Sequence, residues 1–173
     1  MSDQEKNRQD KKDQFTTNKT GRSGKVIGVL GLLIVAVVAG WFLFGQGAGD
    51  TIASVKAENG YVRLNVSDID DGKAHYFKFA TAKGDISFFV VKSVDGVIRA
   101  AFDACDVCYK EKKGYRQEGD FMVCNNCDMQ FRTDLVNEVK GGCNPAPLAR
   151  RVDGGTLAIA QTEILKGGWY FGI

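Results

Sequence analysis

Five cysteines carry most of the chemistry that this chain can do. Cys105-x2-Cys108 is followed by 15 residues, then by Cys124-x2-Cys127, and another 15 lead to Cys143. The first four match the C-x2-C…C-x2-C spacing of tetrathiolate metal sites. Two residues between cysteines allow a tight turn that aims both sulfurs at one point and leaves backbone N–H groups free to bond them. Two such turns supply four soft ligands, which suit zinc, copper(I) or iron–sulfur chemistry. Cys143 lies in the glycine-rich turn Gly141-Gly142-Cys143-Asn144-Pro145. It could replace one of the four, bridge two ions or act as a resolving thiol. Cys105, Cys124 and Cys143 recur every 19 residues, which is as compatible with chance as with a remnant repeat.

Two other fates are open to these thiols. In an exported domain, oxidising conditions favour disulfides, although two bridges would leave one odd cysteine. A C-x-x-C pair can also be an exchange-active dithiol. Neither pair opens an obvious helix after a strand, as a thioredoxin-like site would require. A metal centre on Cys105, Cys108, Cys124, Cys127 and Cys143 is the reading preferred over both.

Much else is excluded. The formal net charge is +2, so the chain is no strongly basic nucleic-acid binder. With one histidine, His75, it has no multi-His metal site, and a Ser-His-Asp hydrolase is improbable. Tyr109 and Asp128 follow the two pairs where c-type haem attachment needs histidine. His75 reads as a packing or surface residue of a strand. Asp103, Asp106 and Asp120 read as solvated or turn-forming. Lys110-Glu111-Lys112-Lys113 reads as an exposed loop that could also dock an acidic partner or screen thiolates. Tyr109, Tyr115, Phe121 and Phe131 are expected to cover the cysteines and pack the core.

The elements that must position these residues fall into zones. Residues 1–25 are polar, with seven basic and four acidic side chains, and read as a disordered basic cytoplasmic tail. Val26–Phe44 has no charge over 19 residues; as a helix it would span roughly 28 Å, close to the thickness of a bilayer core. Trp41 stands near its end, where an interfacial aromatic belongs. A cleaved signal peptide is the main rival, but the apolar run is longer than the usual one. The basic flank precedes the span, so the expected topology is a single pass through the cell membrane. The N-terminus is then cytoplasmic and the C-terminal domain exported. Residues 45–54 read as a linker and 55–173 as one cysteine-rich domain, with a net charge of −1 over zone 45–173.

The expected fold class is α+β, mostly antiparallel β. Tyr61–Val66 alternates with period two, Asp71-Gly72 signals a turn, and His75–Ala80 follows as a second strand. Ile86–Lys92 and Val97–Phe102 flank a turn at Asp95-Gly96. Thr156–Ile164 reads as a late strand. Thr133–Lys140 reads as a short helix capped by Thr133 and ended by Gly141-Gly142.

These residues also resemble a known family. Ala101-Phe102-Asp103-Ala104-Cys105-Asp106-Val107-Cys108-Tyr109 is similar to the signature of the membrane iron–sulfur-containing, FtrD-like domain. So are Lys113-Gly114-Tyr115, Gly119-Asp120, Met122-Val123-Cys124-Asn125-Asn126-Cys127 and the Cys143 turn. The resemblance covers about residues 55–170. It implies a membrane-attached redox or metal protein that delivers electrons, or handles metal, for ferrous iron uptake. An iron permease or another envelope redox protein would then be its partner. With one expected span the chain cannot form a transport path alone. The alternatives are an envelope protein holding structural zinc or handling copper and, more weakly, a thiol–disulfide redox protein.

Overall fold

The computed structural model describes residues 52–173; the expected basic tail and membrane span lie outside the described residues. Among the described residues no helix is long and apolar enough to cross a membrane. Ten short strands form three sheets. The first has the order β1 (Ala53–Val55), β3 (His75–Thr81), β4 (Gly84–Lys92), β5 (Ile98–Phe102). Its β1–β3 pair is parallel and the others are antiparallel. The second places β10 (Thr156–Ala160) between β2 (Tyr61–Asn65) and β9 (Arg151–Asp153). The third is an antiparallel meander of β6 (Tyr115–Glu118), β7 (Phe121–Cys124) and β8 (Gln130–Arg132).

Strand β4 is the centre of the molecule. Successive side chains of a strand point to opposite faces, and both faces of β4 are buried. Ile86, Phe88 and Val90 join an apolar cluster with Val62, Leu157, Ile159 and Ile164. Phe89 and Val91 join a second cluster with Tyr115, Met122, Cys105 and Cys124. Burial on both sides explains why the sequence of this strand reads as a nearly continuous apolar run rather than an alternating one.

The mostly antiparallel β class holds, and so does the β4–β5 hairpin: Val91 faces Arg99 and Lys92 faces Ile98 around the Asp95-Gly96 turn. Three expectations are corrected. The hairpin through Asp71-Gly72 does not form, because β2 pairs with β10, with Val62 opposite Ile159 and Leu64 opposite Leu157. A single 3-10 turn at Val66–Asp68 leads the chain away, and the Val66 N–H bonds the Gly155 carbonyl. Second, the late strand stops at Ala160. Gln161–Lys166 is instead a helix, α1, with Glu163 in its first turn, Lys166 in its last and Ile164 buried beneath. Third, Thr133–Lys140 is not a helix. Only Thr133–Leu135 forms a 3-10 turn, with Arg132 rather than Thr133 at its N-cap and Thr133 itself buried. Asn137 breaks it with a φ of 73°, and its amide both donates to the Ala100 carbonyl and accepts from the Ala100 N–H.

Candidate metal centre

The first cysteine pair leaves the end of β5. Cys105 is buried and Cys108 half-buried, and Cys108 caps a 3-10 turn over Tyr109–Glu111. The Cys108 N–H donates to Cys105 Sγ over 3.1 Å. The second pair closes the β7–β8 turn. Cys124 is the last residue of β7 and is buried, whereas Cys127 is exposed. The turn is tied by Cys124 N–H to the Met129 carbonyl and by Asp128 N–H to the Cys124 carbonyl. Arg116 clamps it from β6, donating to Asn125 Oδ1 and Asp128 Oδ1.

Cys143 arrives by a different device. After the Gly141-Gly142 turn the chain runs back along β5, where Phe102 N–H bonds the Ala146 carbonyl, Ala146 N–H the Ala104 carbonyl and Leu148 N–H the Ala100 carbonyl. The Tyr115 hydroxyl also donates to the Cys143 carbonyl over 2.6 Å. The turn is therefore held against the end of β5, just before the segment that carries Cys105.

The five thiols converge, grouped three and three. The sulfurs of Cys105, Cys108 and Cys124 lie within 4.8 Å of one another, and so do those of Cys108, Cys127 and Cys143. Cys108 belongs to both groups, and its Sγ is 3.8 Å from Cys143 Sγ. Thiol-only donors at this spacing fit a soft thiophilic ion or an iron–sulfur centre and suit hard cations poorly. The cysteines are all free in the structure.

The electrostatics separate an inner side from an outer one. Burial pushes the Cys124 thiol up to about 11, against the opposing N–H groups of Asn126 and Cys127. Burial and the neighbouring sulfurs of Cys127 and Cys108 push Cys143 up to about 12. The Met129 N–H and the adjacent thiols hold Cys127 below its ordinary value. Burial, and then the Cys105 sulfur beside it, raises the Tyr115 phenol. Burial and neighbouring sulfurs disfavour the separate thiolates at Cys124 and Cys143, so these protons would have to be displaced by a bound cation whose charge offsets that cost.

Asp103 supports the site from below. It is half-buried, its Oδ1 accepts from the Tyr115 N–H over 2.7 Å, and burial pushes it up to about 6. Gly114, at a φ of +63°, lies against the same carboxylate, where a Cβ would collide with it. A cavity of about 440 Å³ opens beside the inner group. Cys105, Cys108 and Cys124 line it together with Lys78, Lys83, Lys112 and Lys113.

The remaining expectations divide. His75 pairs with Asp71 at 2.8 Å and joins neither sulfur group. Asp106 is exposed and accepts from the Tyr170 hydroxyl, and the Asp120 carbonyl receives the Thr133 N–H. Tyr115 and Phe131 pack around the cysteines, with ring centroids 6.3 Å apart. Tyr109 instead packs edge-on against Trp169 and Tyr170, and Phe121 is exposed. Sequence reasoning missed Arg99. It is buried on β5 and donates to Ser93, Asp95, Glu138 and the Val136 carbonyl. Only the nearby Asp95, in the hairpin turn, could have signalled it.

No curated protein matches the chain. Among solved structures, the quaternary ammonium Rieske monooxygenase CntA in complex with an inhibitor is 16% identical, with a TM-score of 0.39, over 57% of this chain and 30% of that one. The apo form of CntA is 15% identical, with a TM-score of 0.38, over 62% and 36%. This chain thus spans about a third of the length of those structures, and a likeness at this level carries no argument about fold or function. The family model is another matter. It matches residues 69–171, a stretch that contains β3 to β10 and all five cysteines, and the chain belongs to the membrane iron–sulfur-containing, FtrD-like protein family.

Proposed function

We propose that this protein is a membrane-anchored metal-binding redox module, an electron-transfer accessory to iron uptake. Cys105, Cys108, Cys124, Cys127 and Cys143 are its ligands. The observation that carries this reading is the convergence of five thiols from three separate loops beside an open, lysine-lined cavity. A purely structural metal needs no such opening. When bound, a thiolate-held iron or iron–sulfur centre supplies a one-electron couple whose potential depends on burial and on hydrogen bonds to sulfur.

The chain's own residues would set that potential and its access. N–H groups of Cys108, Asn126, Cys127 and Met129 point at sulfurs and disperse thiolate charge. Tyr115, Phe131 and Met122 exclude water from the inner side. Lys112 and Lys113 offer a positive approach for an acidic partner, such as an iron permease or another envelope redox protein. The expected span at Val26–Phe44 would tether the domain to the outer face of the cell membrane.

The test is elemental analysis with a visible spectrum of the full-length protein, purified anaerobically in detergent. Iron with visible charge-transfer bands supports the reading, and Cys124→Ser should abolish them. Colourless protein with stoichiometric zinc would replace it with a structural role.

A further inference from the structure

We propose that the five thiols hold two metal ions, with the Cys108 sulfur bridging them. The inference rests on the metal-centre reading above and goes beyond it to the number of ions and the residue that joins them.

The argument starts from sulfur geometry. Around one tetrahedral ion with bonds of about 2.3 Å, four thiolates stand about 3.8 Å apart on every edge. Two C-x2-C turns closing on one such ion would bring Cys105, Cys108, Cys124 and Cys127 into a single group. They do not form one. The grouping is three and three: Cys127 keeps its contact with Cys124 but falls in one group with Cys108 and Cys143. The 3.8 Å between Cys108 Sγ and Cys143 Sγ is an edge of the kind that one shared ion produces. Cys143 therefore has a ligand's place, but in the outer group and not as a substitute within the two pairs.

Cys108 is the sulfur that belongs to both groups. A thiolate sulfur bonded to one Cβ keeps three lone pairs, enough for two ions. Cys108 lies between the buried Cys105 and Cys124 on one side and the exposed Cys127 and half-buried Cys143 on the other. Its place in the fold is fixed, because its own N–H is committed to Cys105 Sγ and its carbonyl to the Glu111 N–H.

Charge points the same way. Five thiolates around one divalent ion leave three negative charges uncompensated, and around two such ions they leave one; with copper(I) the two counts are four and three, so the second ion lowers the charge in either case. Uncompensated charge near a protein interior is strongly unfavourable. Lys78, Lys83, Lys112 and Lys113 line the cavity with the inner group, whereas Cys127 and Cys143 are not in that lining; a second ion would compensate the outer group. Each group offers three sulfurs. That completes the sphere of a three-coordinate soft ion, and a four-coordinate ion would take one further ligand from the open side of its group.

Copper(I) is the probe, since it accepts three thiolates. The full-length protein, reduced and anaerobic in detergent, is titrated with copper(I) against a competing chelator. The wild type should saturate at two ions per chain. Cys105→Ser and Cys124→Ser should each leave one, held by the outer group, and Cys127→Ser and Cys143→Ser should each leave one, held by the inner group. X-ray absorption of the two-ion form should show a metal–metal scattering vector, and Cys108→Ser should lose it. Saturation of the wild type at one ion, or two ions without that vector, overturns the bridge while leaving a metal centre in place. A wild type that binds no copper, with five titratable thiols, overturns the metal reading itself.

Discussion

The two faces of strand β4 are equally buried and differently employed. Ile86, Phe88 and Val90 pack into an apolar cluster with side chains from the β2–β10 sheet, from β3 and β5 and from α1. Phe89 and Val91 meet Tyr115, Met122, Cys105 and Cys124, so that hydrocarbon on this side ends at sulfur. The first face gives the domain its stability. The second spends part of its volume on the thiols of Cys105 and Cys124, which accept from the N–H groups of Cys108, Asn126 and Cys127. Fold and site should therefore be separable by mutation, and the size of the effect should track the face that is touched.

The largest loss is expected on the first face. Phe88 is fully buried and stacks on Phe77 with centroids 5.4 Å apart. Phe88→Ala should cost about 3–5 kcal/mol, the range for a core phenylalanine cut to alanine. Urea unfolding of the apo protein would measure it. Comparable losses for Phe88→Ala and for Cys127→Ser would erase the distinction between the faces.

A middle-sized loss is expected where the second face meets the site. Gly114 holds a φ of +63° against the Asp103 carboxylate, which in turn receives the Tyr115 N–H. Gly114→Ala adds a Cβ in a disfavoured conformation and into an occupied space, at a cost of about 1–3 kcal/mol. Since Asp103 is two residues from Cys105 and Asn125 N–H bonds the Gly114 carbonyl, the shift should reach both cysteine turns. Metal affinity should fall along with stability, measured as metal retained after dialysis against a chelator.

The outermost thiol should separate the two properties completely. Cys127 is exposed, and surface changes away from special features stay within about 0.5 kcal/mol. In the apo protein Cys127→Ser should leave the urea midpoint where it was. In the metal-loaded protein it should remove the extra stability that ligation confers, because a ligand that binds only the folded state stabilises it by mass action.

How much of this was legible in the sequence follows the range of the interactions. The β4–β5 hairpin was readable because Asp95-Gly96 and its flanking apolar runs are local. The two C-x2-C turns were readable for the same reason. The β6–β8 meander was not, since its strands are three or four residues long and carry Arg116, Gln117 and Gln130 among their few apolar positions. Nor was the pairing of β2 with β10, which joins residues nearly a hundred positions apart and which a nearby turn signal at Asp71-Gly72 counterfeited. Cys143 could be named as a candidate but not placed. Its position depends on three backbone bonds between Ala146–Leu148 and the end of β5 and on one tyrosine hydroxyl, none of which leaves a periodic trace.

The smallest effect belongs to the polar edge of the second face. Arg99 shares a face of β5 with Ala101 and is buried, yet its carboxylate partners Asp95 and Glu138 are exposed. Asp95 is held by the Ser93 hydroxyl, the Val97 N–H and the Arg99 guanidinium, which keep its carboxyl at about 2, below the ordinary 3.8. A carboxylate depressed in the folded state contributes stability that is fully present above its unfolded value and is lost as the pH falls through its folded one. The wild type should therefore exceed Asp95→Asn by a constant margin from neutrality down to about pH 4. That margin should shrink between 3.8 and about 2. Urea midpoints of both proteins, measured apo across that window, give the difference directly. A margin that stays flat on acidification would mean that Arg99 is held by Glu138 and the Val136 carbonyl alone, and that the Asp95 carboxylate contributes nothing to this edge.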